Sequence, residues 1–167
     1  GIPKNAPVSV LDGIRKYAEK ANVEVVYAPW VSTGSDFDPI SKNYFPNGLK
    51  AEYFTNSKLE GTPSVRTEEE LIYDPASRPD PFQPQVPMSI RWTGVLKPAV
   101  SGEYTLGLKT DDGCRLFLDG KKLIDSWTER SAQMDNVIVK LEAGREYNLQ
   151  VEYFDGGGDC FARLYWK

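Results

Sequence analysis

Residues 110–120 read TDDGCRLFLDG, which is a turn, a short strand and a second turn in direct succession. Side chains alternate between the two faces of a strand, so Cys114, Leu116 and Leu118 share one face. The strand runs into the dipeptide Asp119-Gly120, a strong signal for a tight β-hairpin. The stretch therefore predicts an antiparallel hairpin with one apolar face turned towards a core.

Strands with the same alternation precede and follow this hairpin. The apolar residues that share a face in each of them are Ile90 and Trp92, then Tyr104, Leu106 and Leu108, then Val137, Val139 and Leu141, and then Tyr147, Leu149, Val151 and Tyr153. Further strands are predicted over residues 49–54 and 160–166. Short alternating strands separated by turn residues are typical of a sandwich or a barrel. The sequence predicts an all-β fold, an antiparallel β-sandwich over residues 47–167.

Residues 55–85 carry few strand signals. Regular strand pairing is disfavoured there by Pro75, Pro79, Pro81 and Pro84, because proline cannot donate to a strand ladder. The acidic run Glu68-Glu69-Glu70 is interpreted as a solvated turn or a short helix. We expect this segment to be an irregular connection.

The composition excludes several classes of function. The chain has 167 residues, a net charge of −4 and no histidine. Its acidic balance argues against a nucleic-acid partner, and no apolar run is long enough to cross a membrane. The absence of histidine excludes a Ser-His-Asp arrangement and removes the usual zinc ligands. No signal peptide is visible at the start, as expected for a mature chain or an excised fragment.

Two cysteines, Cys114 and Cys160, each begin a predicted strand directly after a loop. If those loops converge, the two sulfur atoms should be near each other, on neighbouring strands. They would then either pair as a disulfide in an oxidising compartment or remain buried thiols.

The order of several motifs resembles a known family. The segments are IRWTGVL at 90–96, SGEYTL at 101–106, KLIDSW at 122–127, YFDGGGD at 153–159 and ARLYW at 162–166. Together with residues 110–120 they closely resemble the protective-antigen-type β-sandwich, the PA-fourteen domain. The resemblance implies an association with carbohydrate, so the expected partner is an oligosaccharide or a glycoside.

Two loops rich in aspartate and glycine form the candidate site. One is Asp111-Asp112-Gly113 and the other runs from Asp155 to Asp159 through three glycines. Each loop directly precedes a strand, so we expect both at one end of the sandwich. Four carboxylates close together would make a hard, oxygen-rich site suited to calcium. The alternative is that Asp111 and Asp112 accept backbone N–H bonds and fix the turn.

The resemblance adds a metal to this expectation. In adhesin members of the family, the two aspartates that match Asp111 and Asp112 are joined by a cis peptide and bind a calcium ion that holds sugar hydroxyls. Members inserted in glycoside hydrolases do without calcium in some cases and contribute to substrate choice. Calcium is therefore an expected cofactor if this chain is like the adhesin members, and it is not required if the chain is like the members inserted in glycoside hydrolases.

Aromatic residues near these loops are candidates for stacking on a sugar. Flat rings suit the apolar face of a pyranose, and Trp127 and Phe154 are placed to serve either as such a surface or as core residues. Trp92 and Trp166 fit the core better. The candidate carbohydrate-binding residues are Asp111, Asp112, Trp127, Phe154, Asp155 and Asp159.

Residues 1–46 are assigned to a fragment of another domain and a linker. A helix is predicted over residues 9–21 and a strand over 23–28, followed by a linker rich in proline and glycine. Residues 10–14 and 23–28 resemble the α/β domain of family-three glycoside hydrolases, the β-glucosidase-like enzymes. In some of these enzymes a PA-fourteen domain is inserted after such a strand.

The leading interpretation is a non-catalytic module that shapes substrate access in a periplasmic or extracellular enzyme of this family. The remainder of that enzyme would be its covalent partner. The catalytic nucleophile of the family lies in a barrel domain, and no matching segment occurs here. The alternatives are a calcium-dependent glycan-binding lectin module and a structural spacer without a ligand.

Overall fold

A computed structural model describes residues 37–76 and 86–167 of the chain. Within these residues the chain forms eleven strands and one short 3-10 helix. In chain order the elements are β1 (Asp38–Pro39), the 3-10 helix (Lys42–Tyr44), β2 (Leu49–Phe54), β3 (Ser64–Glu68), β4 (Ile72–Tyr73), β5 (Met88–Leu96), β6 (Gly102–Asp111), β7 (Cys114–Leu118), β8 (Lys121–Ser126), β9 (Gln133–Leu141), β10 (Tyr147–Asp155) and β11 (Phe161–Trp166).

The strands form two antiparallel sheets. The first sheet has the order β1-β11-β6-β9, and β4 pairs with β11 further along the same edge as β1. The second sheet has the order β3-β2-β5-β10-β7-β8. These pairings confirm the predicted all-β, antiparallel β-sandwich.

The core is a single cluster of buried side chains drawn from both sheets. Leu106 and Leu164 come from the first sheet, and Trp92 and Tyr153 from the second; each is at most 1% exposed. Alternation along the strands puts these residues on the inner faces. The predicted core role of Trp92 is therefore confirmed.

The hairpin that organises the sequence has the predicted form. Strands β7 and β8 are joined at Asp119 and Gly120, whose φ angles are +49° and +77°. Both values lie in the left-handed region that a two-residue turn of this class requires, and glycine adopts it without strain. In β7, Cys114, Leu116 and Leu118 are buried and the residues between them are not, as the alternation predicts.

The segment after β2 is more regular than the sequence indicates. Strand β3 pairs with β2, and β4 pairs with β11. The prediction that Glu68 is solvated is wrong. Its carboxylate accepts hydrogen bonds from Trp92 Nε1 (2.7 Å) and Arg66 Nε (2.6 Å), and such partners allow a carboxylate to leave bulk water.

The end of the predicted linker also contributes to the sandwich. Asp38 and Pro39 pair with Trp166 and Tyr165 of β11. Ile40 and Phe45 are each 3% exposed and belong to the core. The sequence predicted a linker here because the segment is rich in proline and glycine. Composition alone does not distinguish a linker from a short edge strand, so the core positions of Ile40 and Phe45 were not predicted.

The prediction that Cys114 and Cys160 lie on neighbouring strands is wrong. Cys114 begins β7 in the second sheet, whereas Cys160 directly precedes β11 in the first. Both thiols are free. The error arose because strands that follow converging loops can continue into opposite sheets.

Two further predictions concern residues outside the described part. The helix over 9–21 and the strand over 23–28 both lie there, as does most of the predicted linker. In the part that is described, we find no helix with the length and apolar character needed to span a membrane.

Candidate functional site

Asp112 holds three loops together at one end of the sandwich. Its Oδ1 accepts a hydrogen bond from the Arg130 backbone N–H (2.7 Å), and its Oδ2 accepts one from the Gly156 N–H (2.9 Å). The residue is 7% exposed. The predicted convergence of the two aspartate loops is confirmed, and the segment after β8 joins them. The peptide bond between Asp111 and Asp112 is cis.

Tyr153 supports the same turn from inside the sandwich. Its hydroxyl donates to the Asp111 carbonyl oxygen (2.5 Å) and accepts from the Phe161 N–H (3.2 Å). Burial raises the pKa of this phenol well above its usual value, and the Asp155 charge raises it further. Tyr153 therefore remains a neutral hydrogen-bonding group that ties the turn to the start of β11.

Glycine is the only residue type that fits at position 113. A Cβ atom there would lie 2.3 Å from Phe154 Cε1 and 2.8 Å from the Thr128 backbone nitrogen. Both distances are far inside van der Waals contact. The Phe154 ring thus packs directly against the main chain of the turn, and any side chain at Gly113 would push the loops apart.

Trp127 lies on top of this packed layer. Its ring is 4.8 Å from the Phe154 ring, centroid to centroid, at an interplanar angle of 48°. The Arg115 guanidinium carbon lies 4.1 Å from the Trp127 centroid, a cation–π distance. Trp127 remains half-buried, whereas Phe154 is only 6% exposed. The geometry leaves Trp127 as the ring that solvent reaches and Phe154 as its support.

Asp155 is a fully buried carboxylate in this site. Its Oδ1 accepts a hydrogen bond from the Gly157 N–H (2.7 Å), while its Oδ2 is buried and has no hydrogen-bond partner among residues 37–76 and 86–167. Burial raises the pKa of Asp155; the Gly157 N–H lowers it, and the charges of Asp112 and Asp111 raise it again. Within the described part of the chain, one of the two oxygens of this buried carboxylate therefore has no donor.

The Arg130 side chain holds the segment that follows β8 against the turn at Asp112. Its guanidinium bonds the Asp112 carbonyl oxygen (3.3 Å) and Thr110 Oγ1 (3.2 Å), and it forms an ion pair with Asp135. Burial alone would raise the pKa of Asp135, but the Arg130 charge and hydrogen bond lower it below its usual value. Burial raises the pKa of the neighbouring Cys114 thiol to about 11, so this sulfur is a protonated core group.

The carboxylate oxygens of the aspartate loops are suitable ligands for a hard cation, but they are not arranged as a metal-binding site. Asp111, Asp112 and Asp155 supply oxygen ligands of the kind calcium prefers. Both Asp112 oxygens already accept backbone N–H bonds, however. Among residues 37–76 and 86–167 no group of three or more acidic, cysteine or histidine side chains is placed to hold a metal ion.

The six predicted site residues thus occupy one region in different environments. Asp112, Phe154 and Asp155 are buried, Asp111 and Trp127 are half-buried, and Asp159 is exposed. Arg115 and the backbone of Arg130 were not predicted as part of the site. The alternation that buries Cys114 and Leu116 places Arg115 on the outer face beside Trp127, so this signal was present in the sequence.

Comparison with known proteins assigns the fold to a family. A family model for the PA14 domain matches residues 46–167, most of the chain. The chain belongs to the PA14 domain family. The match covers all the loops that meet at Asp112.

Relatives of this PA14 domain are parts of larger proteins. The anti-sigma-I factor RsgI3 of Acetivibrio thermocellus is 35% identical over 127 residues, which is 75% of this chain and 20% of the relative. A solved anti-sigma factor domain-containing protein is 36% identical with a TM-score of 0.67, over 72% of this chain and 42% of that one. The chain therefore spans about a fifth of the length of the curated relative.

A likeness in fold alone extends to an enzyme. A β-glucosidase from Kluyveromyces marxianus matches this PA14 domain with a TM-score of 0.66 at 19% identity, over 96% of this chain and 22% of the enzyme chain. This identity supports a shared architecture and carries no conclusion about activity.

Proposed function

We propose that this PA14 domain is a non-catalytic carbohydrate-binding module. Its binding surface is the Asp rim, defined here as Asp111, Asp112, Trp127, Phe154 and residues 155–159. One observation carries the proposal: three loops meet at the Asp112 carboxylate, and the half-buried Trp127 ring packs on Phe154 at the same junction. Polar groups next to a flat apolar ring match a sugar, whose hydroxyls and apolar face lie side by side.

The role of each residue of the Asp rim in sugar binding would depend on its exposure to solvent. Trp127 stacks on the sugar, with Phe154 and Arg115 fixing its ring. Asp111 and Asp159 accept hydrogen bonds from hydroxyls, because they are the rim carboxylates that solvent reaches. Asp112 and Asp155 hold the loops. Binding by the isolated module would be weak, since an open rim buries only part of a ligand.

Calcium-dependent binding is the second candidate, and the buried Asp155 Oδ2 favours it. A cation at the rim would give this oxygen a partner and offset the repulsion among Asp155, Asp112 and Asp111. Asp111 and Asp155 would hold the ion with oxygen ligands. When bound, calcium would supply coordination sites for sugar hydroxyls.

We propose that the parent protein is a periplasmic or extracellular β-glucosidase-like enzyme in which the module shapes substrate access. The support is the resemblance of residues 10–14 and 23–28 to the α/β domain of that family. An alternative parent is an anti-sigma-factor-like protein, favoured by the 35% identity to RsgI3. The coding sequence on both sides of the chain discriminates between them, because only the first parent has a catalytic barrel upstream.

A glycan array probed with the labelled chain tests the binding proposal. Wild-type protein should bind a subset of oligosaccharides, and Trp127→Ala should lose that signal by about tenfold, the upper range for one aromatic contact. Trp127→Phe keeps a flat ring and should retain part of it. Repeating the array with EDTA separates the two candidates, because only the calcium-dependent lectin loses binding. If the wild-type chain binds no glycan, with or without calcium, the spacer alternative is correct.

A further inference from the structure

A shallow groove lies on the outer face of the second sheet, away from the Asp rim. Its volume is about 660 Å³, within the range of roughly 300–1,000 Å³ that is usual for small-molecule sites. The side chains that line it are Thr93, Val95, Phe117, Asn148 and Gln150. Phe117 lies four positions after Gly113 in the sequence, which places the groove about 13 Å from the rim at roughly 3.3 Å per residue step.

Strand register brings these side chains to one face. Thr93 of β5 pairs with Gln150 of β10, and Gln150 pairs with Phe117 of β7. Val95 and Asn148 form the next row. Because the adjacent positions in each strand point into the core, all five side chains point outwards. The groove is thus built on three central strands and not on loops, so its shape is fixed before a ligand arrives.

The two amides of the groove are oriented by neighbouring carboxylates. Gln150 Nε2 donates to Glu152 Oε1 (3.0 Å), and Asn148 Nδ2 lies 3.5 Å from Asp119 Oδ1. Held in this way, each amide presents a fixed set of donor and acceptor atoms. Phe117 is half-buried and adds a flat apolar surface between them.

The charges around the groove are paired with one another. Glu152 forms ion pairs with Arg91 (3.1 Å) and Arg115 (3.3 Å). Lys122 forms an ion pair with Asp125. The lining itself consists of two amides, a hydroxyl, an aromatic ring and a valine, which are all neutral. A charged ligand would find no counter-charge in such a lining, whereas a neutral polyhydroxylated one would find both hydrogen-bonding groups and a ring.

We propose that this groove is a second saccharide-binding site, selective for neutral oligosaccharides. Phe117 stacks on the apolar face of a sugar ring, and Thr93, Asn148 and Gln150 bond its hydroxyls. The site is separate from the Asp rim and does not need calcium, because its lining contains no carboxylate. A module with two sites would hold a polysaccharide more tightly than either site alone.

Nuclear magnetic resonance of the uniformly ¹⁵N-labelled full chain tests this inference. The probes are cellohexaose, xylohexaose and mannohexaose, with the acidic hexagalacturonate for comparison. At least one neutral hexamer should shift the amide signals of Thr93, Phe117 and Gln150 at millimolar concentration, with or without EDTA. Phe117→Ala should weaken this binding about tenfold, and Thr93→Val, which replaces the hydroxyl with a methyl group, about fivefold.

Ile138→Ala is the matched control. It removes an apolar side chain that is 63% exposed on the outer face of the other sheet, and it should leave the affinity unchanged. The inference is wrong if the neutral hexamers shift only rim signals such as those of Trp127 and Gly156. It is also wrong if hexagalacturonate binds the groove as tightly as the neutral hexamers, or if folded Phe117→Ala and Thr93→Val both bind as wild type. Groove shifts without rim shifts would support it while contradicting the proposed function of the rim.

Discussion

Individual carboxylates in this domain differ in how many of their oxygens accept a hydrogen bond. Asp112 is buried and Glu68 is half-buried, and each has hydrogen-bond donors at both carboxylate oxygens, so each holds neighbouring segments together. Asp155 is buried, and the described residues supply a donor to only one of its oxygens. A buried acceptor without a donor costs free energy, and within the Asp rim Asp155 carries this cost.

Asp155→Asn should stabilise the protein at neutral pH. The pKa of Asp155 is raised in the folded chain. Such a group contributes its full stability only below its unfolded pKa, and this contribution is lost as the pH rises through the folded pKa. We therefore expect a higher Tm for the variant at pH 7 and a difference that disappears towards pH 4, measured by thermal denaturation.

The same variant reports on calcium. If a cation binds at Asp155, calcium should raise the Tm of the wild type at pH 7 and leave that of Asp155→Asn unchanged. A wild type that is more stable than Asp155→Asn in EDTA at pH 7 would contradict the assignment of Asp155 as a strained carboxylate.

Asp112→Ala should open the junction of the three loops. The change leaves the N–H groups of Arg130 and Gly156 without their acceptor, and we expect a loss of about 2–3 kcal/mol in the free energy of unfolding. Urea denaturation measures it. Asp159→Ala removes an exposed aspartate from the same loop and should cost less than about 0.5 kcal/mol; equal losses would show that Asp112 does not act as the junction.

At the residue scale the sequence identified candidates but not their environments. Asp111 and Asp112 were predicted as site residues because the two aspartates are adjacent, and Asp155 because it precedes three glycines. The burial of Asp112 and Asp155 could not be predicted, because it depends on Phe154 packing against Gly113 across two loops. Glu68 was misplaced for the same reason: its partner Trp92 is remote in sequence, and only the fold brings the two together.

Among the elements, the second sheet carries a ladder of alternating charges across its outer face. The five residues are in register on neighbouring strands: Glu52, Arg91, Glu152, Arg115 and Asp125. Cross-strand pairs of opposite charge stabilise a sheet. The ladder runs between the Asp rim and the neutral groove and separates the two surfaces.

Glu152→Gln should weaken the centre of this ladder. Glu152 has a side chain that is 7% exposed and pairs with two arginines, each 30% exposed. Because the arginines remain partly hydrated, we expect a loss of about 1–2 kcal/mol, less than for a fully buried pair. Glu146→Gln, at an exposed single pair with Lys97, is the control and should change the free energy of unfolding little. Similar values for the two variants would show that the ladder adds nothing to stability.

The longer strands could be predicted from alternation, whereas the shortest could not. Strands β5 to β7 and β9 to β11 each carry several apolar residues with period two, and the sandwich follows from them. Strands β1 and β4 have two residues each, too few for a period. They form because β11 offers an open edge, which is a property of the folded sheet and not of their own residues.

For the whole molecule, the proposed parent enzyme makes a prediction about substrate length. The Asp rim would face the sugar beyond the cleaved bond, so removing residues 47–167 should change kcat/KM for long oligosaccharides relative to short ones. Hydrolysis of a small aryl glucoside should change less, because such a substrate does not reach the rim. Steady-state kinetics of parent and deletion variant measure both; an equal loss for all substrates would favour a spacer.

Binding of carbohydrate by the Asp rim through Trp127 can be measured by titration calorimetry of the full chain, using the oligosaccharide with the strongest array signal. We expect saturable binding by the wild type, an affinity about tenfold lower for Trp127→Ala, an intermediate value for Trp127→Phe and no change for Ile138→Ala. Equal affinities of the wild type and a correctly folded Trp127→Ala would contradict the claim.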